Sequence, residues 1–98
     1  MDIRILRYFV TVARNKQFTV AAEELHISQP SLSNSIKQLE QTLGCKLFER
    51  STRKLALTEQ GQVLYQHACK LLNEFDHIIK EMEDVKKYRF WKIKYRNN

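Results

Sequence analysis

The chain has 98 residues, 43% of them hydrophobic, with 17 Lys/Arg against 11 Asp/Glu and a net charge of +6. That length supplies one small domain, and no run of about 18 apolar residues is present to span a membrane. Two widely separated cysteines, and an N-terminus without the apolar core of a signal peptide, argue against a disulfide framework and for a reducing cytoplasm.

The charge is unevenly placed. Residues 1–60 hold nine Lys/Arg and six Asp/Glu, residues 61–87 hold four and five, and residues 88–98 hold four and none. The balances are +3, −1 and +4, so basic charge sits at the head and the far tail. A basic head suits phosphate binding, although +3 is also ordinary solubility charge.

From Ile3 to Asn15, Leu6, Phe9, Val10 and Ala13 fall at spacings of three, one and three, which is one face of a helix. Phe18 to Leu25 gives a second helix, with Phe18, Ala21, Ala22 and Leu25 on one face. Its small Ala residues let a third helix approach closely, as a crossing near about 90–120° requires. His26 and Ile27 form the turn, with Ile27 as its apolar plug.

Ser28 is suited to cap the next helix, and Pro30 falls in the first turn, where its missing N–H costs nothing. Leu32, Ile36, Leu39 and Leu43 form its buried stripe, and Gly44 supplies the residue that ends it. Gln29, Ser31, Ser33, Asn34 and Lys37 remain on the outward face. These short hydrogen-bonding side chains and one cation suit base edges and phosphates. A merely solvated helix would more often be rich in Glu and Lys. Two helices joined by a tight turn in this way form a helix-turn-helix, whose second helix enters the DNA major groove.

Lys46 to Thr58 contains two short apolar runs flanking Ser51-Thr52-Arg53-Lys54, which reads as a hairpin tip. Its Arg50, Arg53 and Lys54 would project beside the outward helix face, either as a DNA-contacting wing or as a charged turn without a partner. Thr58 then caps a last helix, with Glu59 near its positive end. Leu64, Ala68, Leu71, Phe75, Ile78, Met82 and Val85 alternate spacings of four and three, a three-heptad seam that Leu72 and Ile79 widen. A helix of about 30 residues spans about 45 Å, too long for a small head to cover, so the seam is expected to dimerise. The first turns could pack on the head of the same chain.

From Tyr88 to Asn98 the heptad stops, and four aromatics alternate with four cations. Such a tail suits nucleic acid or an anionic membrane surface, and equally a frayed end. A membrane-surface protein anchored through Tyr88–Tyr95 is therefore one alternative reading. His67, Cys69 and His77 form no credible metal site, because His67 and Cys69 point to different helix faces. No catalytic residues and no cofactor are expected: there is no Ser/His/Asp set, carboxylate pair or Gly-rich phosphate loop.

Taken together, Leu6, Phe9, Val12-Ala13, Phe18-Thr19, Ala21-Ala22, Leu25, Ser28-Gln29-Pro30, Leu32-Ser33, Ile36, Leu39-Glu40, Leu43-Gly44, Leu47-Phe48-Glu49-Arg50, Leu57-Thr58-Glu59 and Gly61 form a highly specific pattern. It resembles the N-terminal DNA-binding half of the LysR-type transcriptional regulators of bacteria, over residues 1–87. The resemblance implies an all-α fold with a small β-hairpin wing, a winged helix-turn-helix followed by a long dimerisation helix. It implies a head over residues 1–57, a linker helix over 58–87 pairing antiparallel with its mate, and residues 88–98 as a disordered or non-family tail.

The resemblance also implies a sequence-specific regulator that binds a promoter-proximal interrupted palindrome in double-stranded DNA as a homodimer, often as a tetramer. Carried over by position, Gln29, Pro30, Ser33 and Asn34 would contact the major groove. Ser28, Ser31 and Lys37 would neighbour phosphates, and Arg50 and Arg53 would serve the wing. Three departures stand out. Asn34 replaces the family's usual Arg and suits adenine rather than guanine. Lys16-Gln17 replaces a Gly-Ser pair, which leaves the cap of the second helix unclear. The family's effector-sensing domain has no counterpart in these residues, so no small-molecule site is expected. An alternative is a truncated interaction protein that heterodimerises with a full-length relative and inhibits it.

Overall fold

The computed structural model describes residues 1–51 and 54–94. Four helices and one hairpin run in the order α1 (Ile3–Asn15), α2 (Phe18–Leu25), α3 (Gln29–Leu43), β1 (Phe48–Arg50), β2 (Leu55–Leu57) and α4 (Glu59–Lys94). Local chemistry sets most of the boundaries. Asp2 caps α1, its carboxylate accepting the Ile5 N–H at 2.8 Å. α1 and α2 both end on left-handed residues that are not glycine, Lys16 at φ 58° and His26 at φ 57°. Gly44, at φ 71°, ends α3 without that steric cost. Gln17 stands at the cap of α2 with no side-chain hydrogen bond to it.

The core lies where α1, α2 and α3 meet the base of the hairpin. Phe9, Val12, Ala21, Leu32 and Ile36 are fully buried, and Ala21 with Ala22 brings α2 close to its neighbours. Phe48 at the start of β1 closes this layer, its ring 5.4 Å from Phe9 and 6.1 Å from Phe18. On the rim, the Arg14 guanidinium and the Asn15 amide hydrogen-bond to Glu24, joining α1 to α2 and holding the Glu24 carboxyl below the usual carboxylate range.

The expected stripe of α3 stops one residue short. Leu43 is 39% exposed. Glu40 takes the place beside Leu39 instead, because its buried carboxylate accepts the Leu47 N–H at 2.7 Å and the Phe48 N–H at 3.4 Å. The chain after Gly44 therefore folds back beneath Glu40, and Leu43 is left at the edge.

β1 and β2 pair antiparallel with Phe48 opposite Leu57, Glu49 opposite Ala56 and Arg50 opposite Leu55. Thr58 links the hairpin to α4. Its hydroxyl donates to the Lys46 carbonyl at 2.7 Å and accepts the Gly61 N–H at 3.0 Å, and its own N–H donates to the Leu47 carbonyl. The opening turn of α4 thus lies directly on the strand that enters the wing.

α4 turns Gly61, Ala68 and Leu72 into the core, with Leu64, Tyr65 and Cys69 half-buried around them. An ion pair between Arg7 and Asp76, 2.5 Å long, marks the last tie to α1. Two expectations are corrected here. Ala68, placed in the dimer seam, is only 1% exposed because it packs on the chain's own head, and Leu64 packs against the same core. The exposed stripe consequently starts at Leu71. The helix also continues past residue 87 to Lys94. Nothing in residues 84–94 breaks it: Gly and Pro are absent, and Lys92 and Lys94 lie near the rings of Tyr88 and Phe90, one turn earlier. Residues 95–98 lie outside the described residues. The result is an elongated molecule, 69 × 25 × 20 Å.

Candidate nucleic-acid interface

The first turn of α3 is fixed by its own side chains. The Ser28 hydroxyl accepts the Ser31 N–H at 3.2 Å and donates to the Ser31 hydroxyl at 2.8 Å. Ser28 is thus committed to capping, and Ser31 is partly occupied with it. Gln29 and Pro30 stand exposed at the helix start, followed by exposed Asn34 and Lys37. Ser33 is half-buried at the border of the core face, so it is the least accessible of the expected groove-facing residues.

Gln29 has one side-chain partner on the neighbouring helix. The Thr19 hydroxyl, on the neighbouring α2, donates to the Gln29 side-chain oxygen at 3.2 Å. The amide nitrogen keeps its donors available. Thr19 was absent from the expected site residues; its signal was the Phe18-Thr19 pair within the family pattern.

On the other flank of α3 lies the wing. Arg50 is exposed, and its guanidinium packs 4.8 Å from the centre of the Phe18 ring, which ties the end of β1 to α2. Ser51 and Lys54 close the hairpin, with Ser51 N–H donating to the Lys54 carbonyl at 3.1 Å and Lys54 N–H to the Ser51 hydroxyl at 3.2 Å. Lys54 is exposed. Arg53 lies outside the described residues.

Between helix and wing the structure brings together what the sequence kept apart. Lys37, Lys46 and Arg50, with Glu40 and Phe48, line one cleft of ≈ 270 Å³. Lys46 was not among the expected residues. Its side chain is 80% exposed, with Nζ 4.0 Å from Glu40 Oε1. Glu40 accepts backbone hydrogen bonds with one oxygen and faces Lys46 with the other, so the buried carboxylate fixes the wing and leaves three cations facing out. Cations grouped beside short polar side chains suit a phosphate backbone lying next to readable bases.

The family model described as "Bacterial regulatory helix-turn-helix protein, lysR family" matches residues 3–62, the α1–α3 core, the hairpin and the first turn of α4. The chain belongs to the LysR family. Among its relatives, the HTH-type transcriptional regulator BudR of Klebsiella aerogenes is 48% identical over 85 residues, 87% of this chain and 59% of BudR. BsdA of Bacillus subtilis is 44% identical over 87 residues, 88% of this chain and 30% of BsdA. This LysR-family chain therefore spans between about a third and three fifths of these curated relatives. Among solved structures, the BenM_DBD/catB site 1 DNA complex superposes with a TM-score of 0.85 at 42% identity, covering 88% of this chain and 96% of that one. Residues 3–62 are thus a LysR-type helix-turn-helix DNA-binding domain with a small antiparallel wing, and α4 is the long helix that follows it.

Proposed function

We propose that this LysR-family chain is the DNA-reading part of a transcriptional regulator, and that it binds an interrupted palindrome as a homodimer. The observation that carries the reading is the pairing of the exposed α3 start with the Lys37–Lys46–Arg50 cleft. Gln29, Pro30 and Asn34 would meet base edges, with Ser33 reaching them from the border of that face. Lys37, Lys46 and Arg50 would neutralise the flanking phosphates, joined by Lys54 from the wing. That the related BenM_DBD is seen bound to DNA supports the assignment.

The two sets of residues act on different quantities. Contacts to bases give discrimination of about 1–3 kcal/mol each, while phosphate contacts give affinity that falls with salt. Two heads joined through α4 would present recognition helices to successive major-groove faces about 34 Å apart. The exposed apolar positions Leu71, Phe75, Ile78, Met82 and Val85 supply the joining surface.

The reading is tested by titrating duplex DNA at several salt concentrations with the wild type and with Lys46→Ala. The expected result is a uniform loss of affinity across sequences and a salt slope flatter by roughly one. An unchanged slope would remove Lys46, and the cleft with it, from the interface.

A further inference from the structure

The wing has a cleft on each flank, and Phe48 lines both. The smaller opens toward α3 and carries Lys37, Lys46 and Arg50. The larger, ≈ 540 Å³, lies between β2 and the turn that joins α1 to α2. Lys16, Gln17, Lys54 and Gln62 supply its polar groups, over a floor that includes Val12 and Leu57. None of the described residues lining it is acidic. Lys16 and Lys54 are both exposed, and neither is in an ion pair among the described residues. Lys46, by contrast, has Glu40 beside it.

Packing holds this turn against the wing. Phe18, the residue after Gln17, sets its ring 6.1 Å from that of Phe48 and against the Arg50 guanidinium. Lys16 itself ends α1 at φ 58°, a conformation that carries a steric cost for lysine and none for Gly44 at φ 71°. The position thus bears a cation where glycine would suit the backbone better.

We infer that this second cleft is a phosphate seat, in which Lys16 and Lys54 hold the DNA strand opposite the one held by Lys37, Lys46 and Arg50. The inference rests on the DNA-reading function proposed above and adds Lys16 to its contacts, with Gln17 as a neighbouring hydrogen-bond donor. A hairpin that enters a minor groove about 6 Å wide meets one strand's backbone on each side. A cationic cleft on each flank of the wing matches that arrangement. Two cations sharing one cleft without a carboxylate repel each other weakly in water, and a phosphate between them turns that repulsion into attraction.

The test uses the whole chain and a duplex that it selects from a random library, with phosphate-ethylation interference read separately on each strand. Lys16→Gly removes the cation and eases the backbone, so the urea midpoint should hold or rise. Its affinity should fall about three- to tenfold at about 0.15 M salt, with a salt slope flatter by roughly one. Lys16→Arg should restore both. Interference beside the wing should weaken on one strand in Lys16→Gly and on the other strand in Lys46→Ala. Unchanged affinity and slope in Lys16→Gly, against the expected loss in Lys46→Ala, overturns the second seat and leaves the DNA-reading function standing. So does a loss that Lys16→Arg fails to restore, or interference relieved on the same strand by both variants. A wild type that selects no duplex overturns both.

Discussion

Gly61 shows how one residue sets the geometry of the whole head. A Cβ at this position would lie 2.1 Å from the Leu47 carbonyl oxygen and 3.0 Å from a Leu57 methyl, and backbone cannot yield as a side chain can. The Thr58 cap and this absence of a side chain together let α4 start directly on the strand that enters the wing. In an ordinary helix, Gly→Ala gains about 1 kcal/mol from helix propensity. Here the clash dominates, and Gly61→Ala should lose about 1–3 kcal/mol, measured by urea unfolding. A gain would show that α4 does not approach Leu47 so closely. Lys16 and His26 represent the opposite case, non-glycine residues in left-handed conformations that end α1 and α2 where the chain must turn at once.

Glu40 carries the same logic to the scale of elements. Its carboxylate accepts two backbone N–H groups at the start of β1 and lies beside Lys46, so it couples the recognition helix to the wing. Glu40→Ala would leave those buried donors unsatisfied, at a cost of about 1–3 kcal/mol, and would loosen the wing. Glu40→Gln, which keeps an acceptor oxygen, should lose less in both stability and DNA affinity. Equal losses from the two variants would mean that the side chain acts through packing and not through its hydrogen bonds.

The helices themselves were legible from periodicity. Leu6, Phe9 and Val10 on α1 and Leu32, Ile36 and Leu39 on α3 are buried where their spacing put them, and the Ser28, Gly44 and Thr58 boundaries follow from local chemistry. Tertiary partners were not legible. Nothing local marks Glu40 as buried or brings Lys46 beside Lys37 and Arg50. Heptad spacing alone could not tell that Ala68 faces its own head while Leu71, less than one turn later, faces out. The end of α4 was misplaced because the heptad stops at Val85, whereas the helix needs only good local geometry and continues to Lys94.

At the scale of the molecule, a 69 Å rod with a head at one end leaves Leu71, Ile78, Met82 and Val85 exposed along α4. Ile78 is 47% exposed and lies outside the buried core, so Ile78→Lys should leave the unfolding of the head nearly unchanged. It should instead yield a monomer by sedimentation, with palindrome affinity reduced to that of a half-site. Retained dimerisation would place the interface elsewhere. The central claim, that the exposed start of α3 reads bases in a twofold arrangement, meets its most direct test in selection of bound duplexes from a random library at fixed salt. The wild type and Asn34→Arg are run in parallel. The account predicts two symmetry-related half-sites from both proteins, with one base position in each half-site changing from adenine to guanine in the variant. Identical motifs from the two proteins, or enrichment without twofold symmetry, would contradict it.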